Sequence, residues 1–117
     1  MLRTYQTKIP LPFDESYELV KEAAAHIHAW KLTSFDPKTS FIEWKQQFWS
    51  LTGSAVISAR FKQKRNAYTR VTIAVYKPLQ VVDPFRICDR IFSKLENAVE
   101  QKLAEITGKK QEEKVSS

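Results

Sequence analysis

Apolar and polar positions recur along this chain with two different periods, and each change of period marks a new element. Between Leu2 and Leu11 the odd positions, Arg3, Tyr5, Thr7, Ile9 and Leu11, are more apolar than the even ones. A period of two predicts a strand. Pro10 and Pro12 have no N–H to donate, so the strand ends near Ile9 or lies at a sheet edge. The period then lengthens. Tyr17, Val20, Ala23, Ala24, Ile27 and Trp30 fall three and four apart and make one helical face, which predicts a helix over about 14–29. Asp14 is its expected N-cap, and Glu15 and Glu18 suit the positive end of the helix dipole.

Period two returns in four stretches, Lys31–Phe35, Ser40–Phe48, Ser54–Gln63 and Tyr68–Lys77. In the second, Ile42, Trp44 and Phe48 oppose Glu43, Lys45 and Gln47. In the third, Ala55, Ile57, Ala59 and Phe61 oppose Ser58, Arg60 and Lys62, and in the fourth Val71, Ile73 and Val75 oppose Arg70, Thr72 and Ala74. The turns between them, Asp36–Thr39, Ser50–Gly53 and Lys64–Asn66, are short, which means an antiparallel meander. The chain then turns helical again. Asp83 precedes Pro84 as an N-cap precedes proline at the first helical position. Cys88, Ile91, Phe92, Leu95, Ala98, Val99, Leu103 and Ile106 make a continuous stripe, and Gly108 is the expected C-cap of a helix over about 84–107.

The expected fold class is therefore α+β, a five-stranded antiparallel sheet with one face covered by two helices, in the order β-α-β-β-β-β-α. Residues 1–108 form one domain, and residues 109–117 read as a polar, disordered tail. This order resembles the TATA-binding-protein-like fold, in which a curved antiparallel sheet carries a long C-terminal helix. The stretches Ile9–Phe13 and Trp49–Ile57 also resemble those of a group of small bacterial domains of unknown function. The resemblance implies a fold and supplies no catalytic residues. The phenylalanine pairs and the duplicated half of a DNA-bending saddle are not recognisable, so that activity is not implied.

Composition narrows the classes of function. The chain has 117 residues, 43% of them hydrophobic and 27% charged, as in a globular domain. Its 2 glycines are too few for a P-loop or a dinucleotide fingerprint. Its single cysteine, Cys88, excludes an internal disulfide and a cysteine-built metal site, and its place on the helical stripe makes it a core residue. No apolar run reaches the roughly 18–20 residues that span a bilayer, and the N-terminus has no apolar leader, so the expected location is the cytoplasm. His26 and His28 lie two apart on a helix and point about 200° apart, which bars a shared metal. Glu15, Glu18 and Glu22 read as a solvated helix face. No nucleophile–base pattern is present. The expectation is a protein that is not an enzyme, with no cofactor and no metal.

Charge is more telling. The first helix is acidic and the second neutral, so the net charge of +6 belongs to the strands and their turns. Arg60, Lys62, Lys64, Arg65 and Arg70 follow one another without an acid between them. Alternation places Lys45, Arg60, Lys62 and Arg70, with Tyr68 and Tyr76, on the sheet face away from the helices, an arrangement that suits a nucleic acid, another polyanion or a protein partner. The bland alternative is a solvated face whose lysines discourage aggregation. A second candidate is Phe48, Trp49 and Leu51 at a strand end, with Trp30 and Trp44: a patch for a protein partner, or the lining of a cavity for a small apolar ligand between the long helix and the sheet. A third reading is a structural module that forms a homodimer through the open face. If Asp83 caps the second helix, Asp83→Ala lowers stability by about 0.5–2 kcal/mol, read as a shifted denaturation midpoint with an unchanged circular dichroism spectrum.

Overall fold

The computed structural model describes residues 2–47, 53–64, 68–77 and 86–115, with side chains as far as Thr107. The chain runs β1 (Leu2–Ile9), α1 (Phe13–Ala25), β2 (Trp30–Asp36), β3 (Phe41–Gln46), β4 (Ala55–Lys64), β5 (Tyr68–Tyr76) and α2 (Ile87–Val115). The strands form one antiparallel sheet in the order β1-β5-β4-β3-β2, so the meander is as expected and β1 closes it beside β5. β1 and β2 therefore lie at opposite edges, and α1 must carry the chain between them. Four inter-strand spacings come to about 19 Å, and the 13 residues of α1 span about 20 Å. The helix is as long as the sheet is wide.

Register decides which side chains meet the helices. Trp44 faces Ile57, which faces Val75, which faces Arg3; Ile42, Ala59, Ile73 and Tyr5 make the next row. Ile42, Trp44, Ile57, Ala59, Val71, Ile73 and Val75 are buried, as are Tyr17, Leu19, Val20, Ala23 and Ala24 of α1. Of the α2 stripe, Cys88, Ile91 and Leu95 are buried, while Phe92, Val99, Leu103 and Ile106 only half reach the core. Among the described residues, Ser16, Gln46, Thr69 and Lys77 are the polar side chains that share this interior. Gln46 continues the inner row of β3, and it accepts from Trp30 Nε1 at 2.8 Å and donates to the Gly53 carbonyl at 2.6 Å. Gly53 has φ +74°, a left-handed turn that glycine adopts without strain. Buried Lys77 donates to the Ser54 carbonyl at 2.8 Å. Along the β2 edge the register breaks between Leu32 and Ser34, and the Thr33 hydroxyl donates to the Glu43 carbonyl at 3.1 Å.

Helix ends depart from expectation for local reasons. Asp14 does not cap α1. Pro12 occupies the N-cap position with no side-chain bond, and the free N–H of Phe13 instead donates to Gln63 Oε1 of β4 at 2.5 Å. Asp14 sits in the first turn, where its negative charge still suits the positive end of the helix dipole. The Leu11 carbonyl accepts from Ser16 Oγ and Thr69 Oγ1, at 3.0 and 2.9 Å, and so ties the proline segment to both its helix and the sheet. α1 stops at Ala25, four residues early. Ala29 takes φ 70°, which ends any helix, and Trp30 becomes the first residue of β2. Arg86 has φ 54°, so α2 begins at Ile87 and not at 84. Asp83 and Pro84 lie outside the described residues. At its other end α2 passes Gly108 and continues to Val115. One glycine inside a helix costs only about 1 kcal/mol against alanine.

Ile91 has no exposed surface and lies where α2 meets the sheet. Ile91→Ala should lower stability by about 2–5 kcal/mol through lost burial and the cavity left behind. Urea denaturation measures it, and an unchanged midpoint would contradict this seating of the helix.

Candidate functional site

Two regions of the molecule are built in a way that core packing alone does not require. The first is a cleft between α2 and the β1–β5 side of the sheet. Phe92, Leu95, Val99 and Leu103 recur at helical spacing along one wall, and Val71 and Ile73 of β5 form the other. Val20 of α1 closes the floor. The cavity has a volume of about 190 Å³. Its polar lining, Thr7, Lys8, Glu96 and Glu100, is partly or fully exposed and therefore sits at the rim.

The upper end of the cleft is fixed by Tyr5. Its ring stacks on Phe92 with centroids 4.4 Å apart and planes 5° from parallel. Its hydroxyl donates to Asp89 Oδ1 at 2.5 Å, and Asp89 Oδ2 accepts from Arg86 Nε at 3.1 Å. Burial, and then the neighbouring Asp89 carboxylate, push the Tyr5 phenol well above its ordinary range. α2 is thus pinned to β1 at its N-terminal end, and the cleft lies beyond that pin. Trp30 and Trp44, expected to line a cavity, do not line this one. They pack on each other at 5.8 Å on the β2–β3 side, with Trp44 in the core. Phe48, Trp49 and Leu51 lie outside the described residues.

The second region is the outer sheet face. Lys45, Arg60, Lys62, Arg70, Tyr68 and Tyr76 all belong to it, but the register divides them. Lys45 lies beside Val56 and Lys31, in the row that continues through Tyr76 to Leu2. The middle of the face holds small side chains, Thr4, Ala74 and Ser58. At the opposite end, Lys62 stands directly across from Arg70, and Arg70 directly across from Lys8. Lys64 pairs with Tyr68 in the next row, and Arg60 lies two residues from Lys62 on the same face. The ammonium of Lys8 sits 5.5 Å from the centroid of the Tyr68 ring, and the guanidinium of Arg60 sits 5.2 Å from that of Phe41. The Lys62 charge, then desolvation and Arg70, lower the Lys64 pKa. Among the described residues the ion pairs are Arg86–Asp89, Lys102–Glu22 and Lys102–Glu105, so none neutralises this end of the face.

Lys8 escaped the sequence reading, and Lys64 was read in the basic run but not assigned to the outer face. Period two puts Lys8 on the outer face, but only the pairing of β1 with β5 sets it against Arg70. The cleft left a fainter trace: its apolar walls read as ordinary core, and only Glu96 and Glu100 beside the stripe hint at a rim. His26 and His28 are exposed.

No protein-family model matches the chain, and no curated protein matches it. Solved structures do resemble it in fold. An uncharacterised protein from Bacillus thuringiensis is similar with a TM-score of 0.66 at 11% identity, over 89% of this chain and 99% of that one. Ara h 8.0201 is similar with a TM-score of 0.61 at 8% identity, over 92% and 99%. The di-domain ARO/CYC StfQ of the steffimycin biosynthetic pathway is similar with a TM-score of 0.58 at 12% identity, over 83% of this chain and 42% of that one. The shared arrangement is a helix-grip, an antiparallel sheet with a helix packed on it. The resemblance to the TATA-binding-protein fold rests on element order alone.

The Tyr5 contact has a pH signature. A phenol whose pKa is raised on folding contributes stability that is fully present below about pH 10, its unfolded value, and is lost progressively as pH rises from there toward the folded value. Tyr5→Phe should be less stable than the parent at pH 8, through the lost bond to Asp89, and the gap should narrow between pH 10 and 11. Chemical denaturation across that range measures it.

Proposed function

We propose that this protein holds one small apolar molecule in the cleft between α2 and the β1–β5 side of the sheet, without transforming it. The observation that carries the reading is the cavity of about 190 Å³ between Phe92, Val99 and Leu103 on one side and Val71 and Ile73 on the other. A cavity of about 150 Å³ lined by aliphatic side chains binds a benzene ring, so this one matches a single ring or a short branched chain. It is smaller than the roughly 300–1,000 Å³ of pockets for drug-sized ligands. The rim groups, Thr7, Lys8, Glu96 and Glu100, would meet a polar substituent turned outward. Similarity in fold to an ARO/CYC of a biosynthetic pathway is compatible with such a ligand.

Binding follows from area. Removing apolar surface from water contributes about 25 cal/mol per Å², so a single ring is expected to bind with a Kd of about 0.1–1 mM. Indole and toluene are suitable probes, followed by ligand-detected NMR, alongside native mass spectrometry of the protein as purified. Val99→Trp should fill the cleft and abolish binding while the protein stays folded, because Val99 is only half-buried. Absence of a copurified molecule together with no binding of either probe would reject the reading.

A further inference from the structure

We propose that the cationic end of the outer sheet face, Lys62, Lys64, Arg70 and Lys8 with Arg60 beside them, is a docking surface for the phosphate backbone of a single-stranded nucleic acid. Three cations in direct cross-strand opposition are an unusual thing for a sheet to hold. Like charges facing each other across a ladder destabilise it, and here two successive pairs, Lys8–Arg70 and Arg70–Lys62, do so in one row. Hydrophobic packing does not demand them, since the row lies on the face opposite the core. Among the described residues no carboxylate pairs with any of them. The acids of this face, Glu43 and Asp36, lie on β3 and β2, where Glu43 accepts from Thr33 Oγ1 and Asp36 from the Lys38 N–H. The rings of Tyr68 and Phe41 steady Lys8 and Arg60 but do not neutralise them. An uncompensated row of this kind costs stability and is relieved by an anion with repeated charges.

The geometry favours a strand over a lipid surface. The row advances one strand at a time, about 4.8 Å per step, and Lys64 and Arg60 flank it two residues away along β4. Its neighbours in the adjoining row are Gln6 and Thr72, groups that hydrogen-bond to phosphate and sugar. The exposed apolar side chains of this face, Leu2 and Tyr76, lie six residues further along the strands, about 20 Å away, and cannot insert into a bilayer that the row is touching. Contacts to phosphate alone read no sequence.

The test is fluorescence anisotropy with labelled twelve-nucleotide dT and rU strands at 20 and 200 mM salt, on the full chain. Each phosphate contact contributes about −0.7 to the slope of log affinity against log salt, so three or four contacts lower affinity between about 100- and 600-fold over that range. The double variant Lys62→Gln/Arg70→Gln should lose at least about tenfold at low salt and flatten the slope by about 1.4. It should also melt no lower than the parent, because the facing charges are gone. Lys31→Gln/Lys45→Gln removes the same charge from the far end of the same face and should bind nearly as well as the parent. Indole binding in the cleft should be unchanged in both variants, so failure here leaves the ligand reading standing. No binding at low salt, equal loss in both double variants, a lowered melting point in the first, or binding to vesicles of three parts phosphatidylserine and seven parts phosphatidylcholine in preference to the oligonucleotides would each overturn the proposal.

Discussion

The seating of α2 on the sheet through Cys88, Ile91 and Leu95 is the contact on which the other features hang. An open sheet with one apolar face is unstable in water until that face is covered. α1 covers part of it, and its length is consumed in crossing from the β1 edge to the β2 edge. The remainder falls to α2, whose 29 residues run about 43 Å against about 33 Å for the longest strand. A straight rod on a twisted surface of this kind cannot touch it everywhere. Tyr5, stacked on Phe92 and bonded to Asp89, fixes where contact is closest, and the cleft opens where it is not.

Two surfaces of different chemistry result, separated by the thickness of the sheet. The inner one is apolar and small, and its rim carries both signs of charge, Lys8 against Glu96 and Glu100. The outer one is basic at one end. Lys8 belongs to both, since β1 is an edge strand and its side chains stand beside the cleft as well as the cationic row. The sheet thereby separates a face held together by burial from a face held in spite of its charge.

Periodicity made the architecture legible. The alternation of Ile57, Ala59 and Phe61, and of Val71, Ile73 and Val75, placed the inner face correctly because a strand with one buried face tolerates no slip in register. The helix ends were less legible, since they depend on groups far away in sequence. Asp14 was the natural cap by position, yet Gln63 of β4 supplies the bond. Alternation puts Gln46 on the inner side with Ile42 and Trp44, but only the distant partners Trp30 and Gly53 explain how an amide is satisfied there. The candidate sites divide in the same way. Outward orientation of Lys62 and Arg70 follows from alternation, but their opposition across the ladder is a fact of pairing. The cleft is a failure of two elements to touch, and a sequence records contacts far better than gaps.

The break in register at Thr33 bears on how copies of this chain behave when crowded. A sheet with two free rims offers each rim to a neighbour's backbone, the route by which strands add without limit. At β2 the irregularity bends the strand and sharpens its twist, so a second β2 cannot lie flat along it. At β1 the rim ends next to Pro10, which has no N–H to give, and Arg3 and Lys8 put a positive charge on each face of the rim. Each rim thus carries its own deterrent to growth. A substitution that straightened β2 would leave the cleft and the core in place and yet turn a discrete molecule into the seed of a filament.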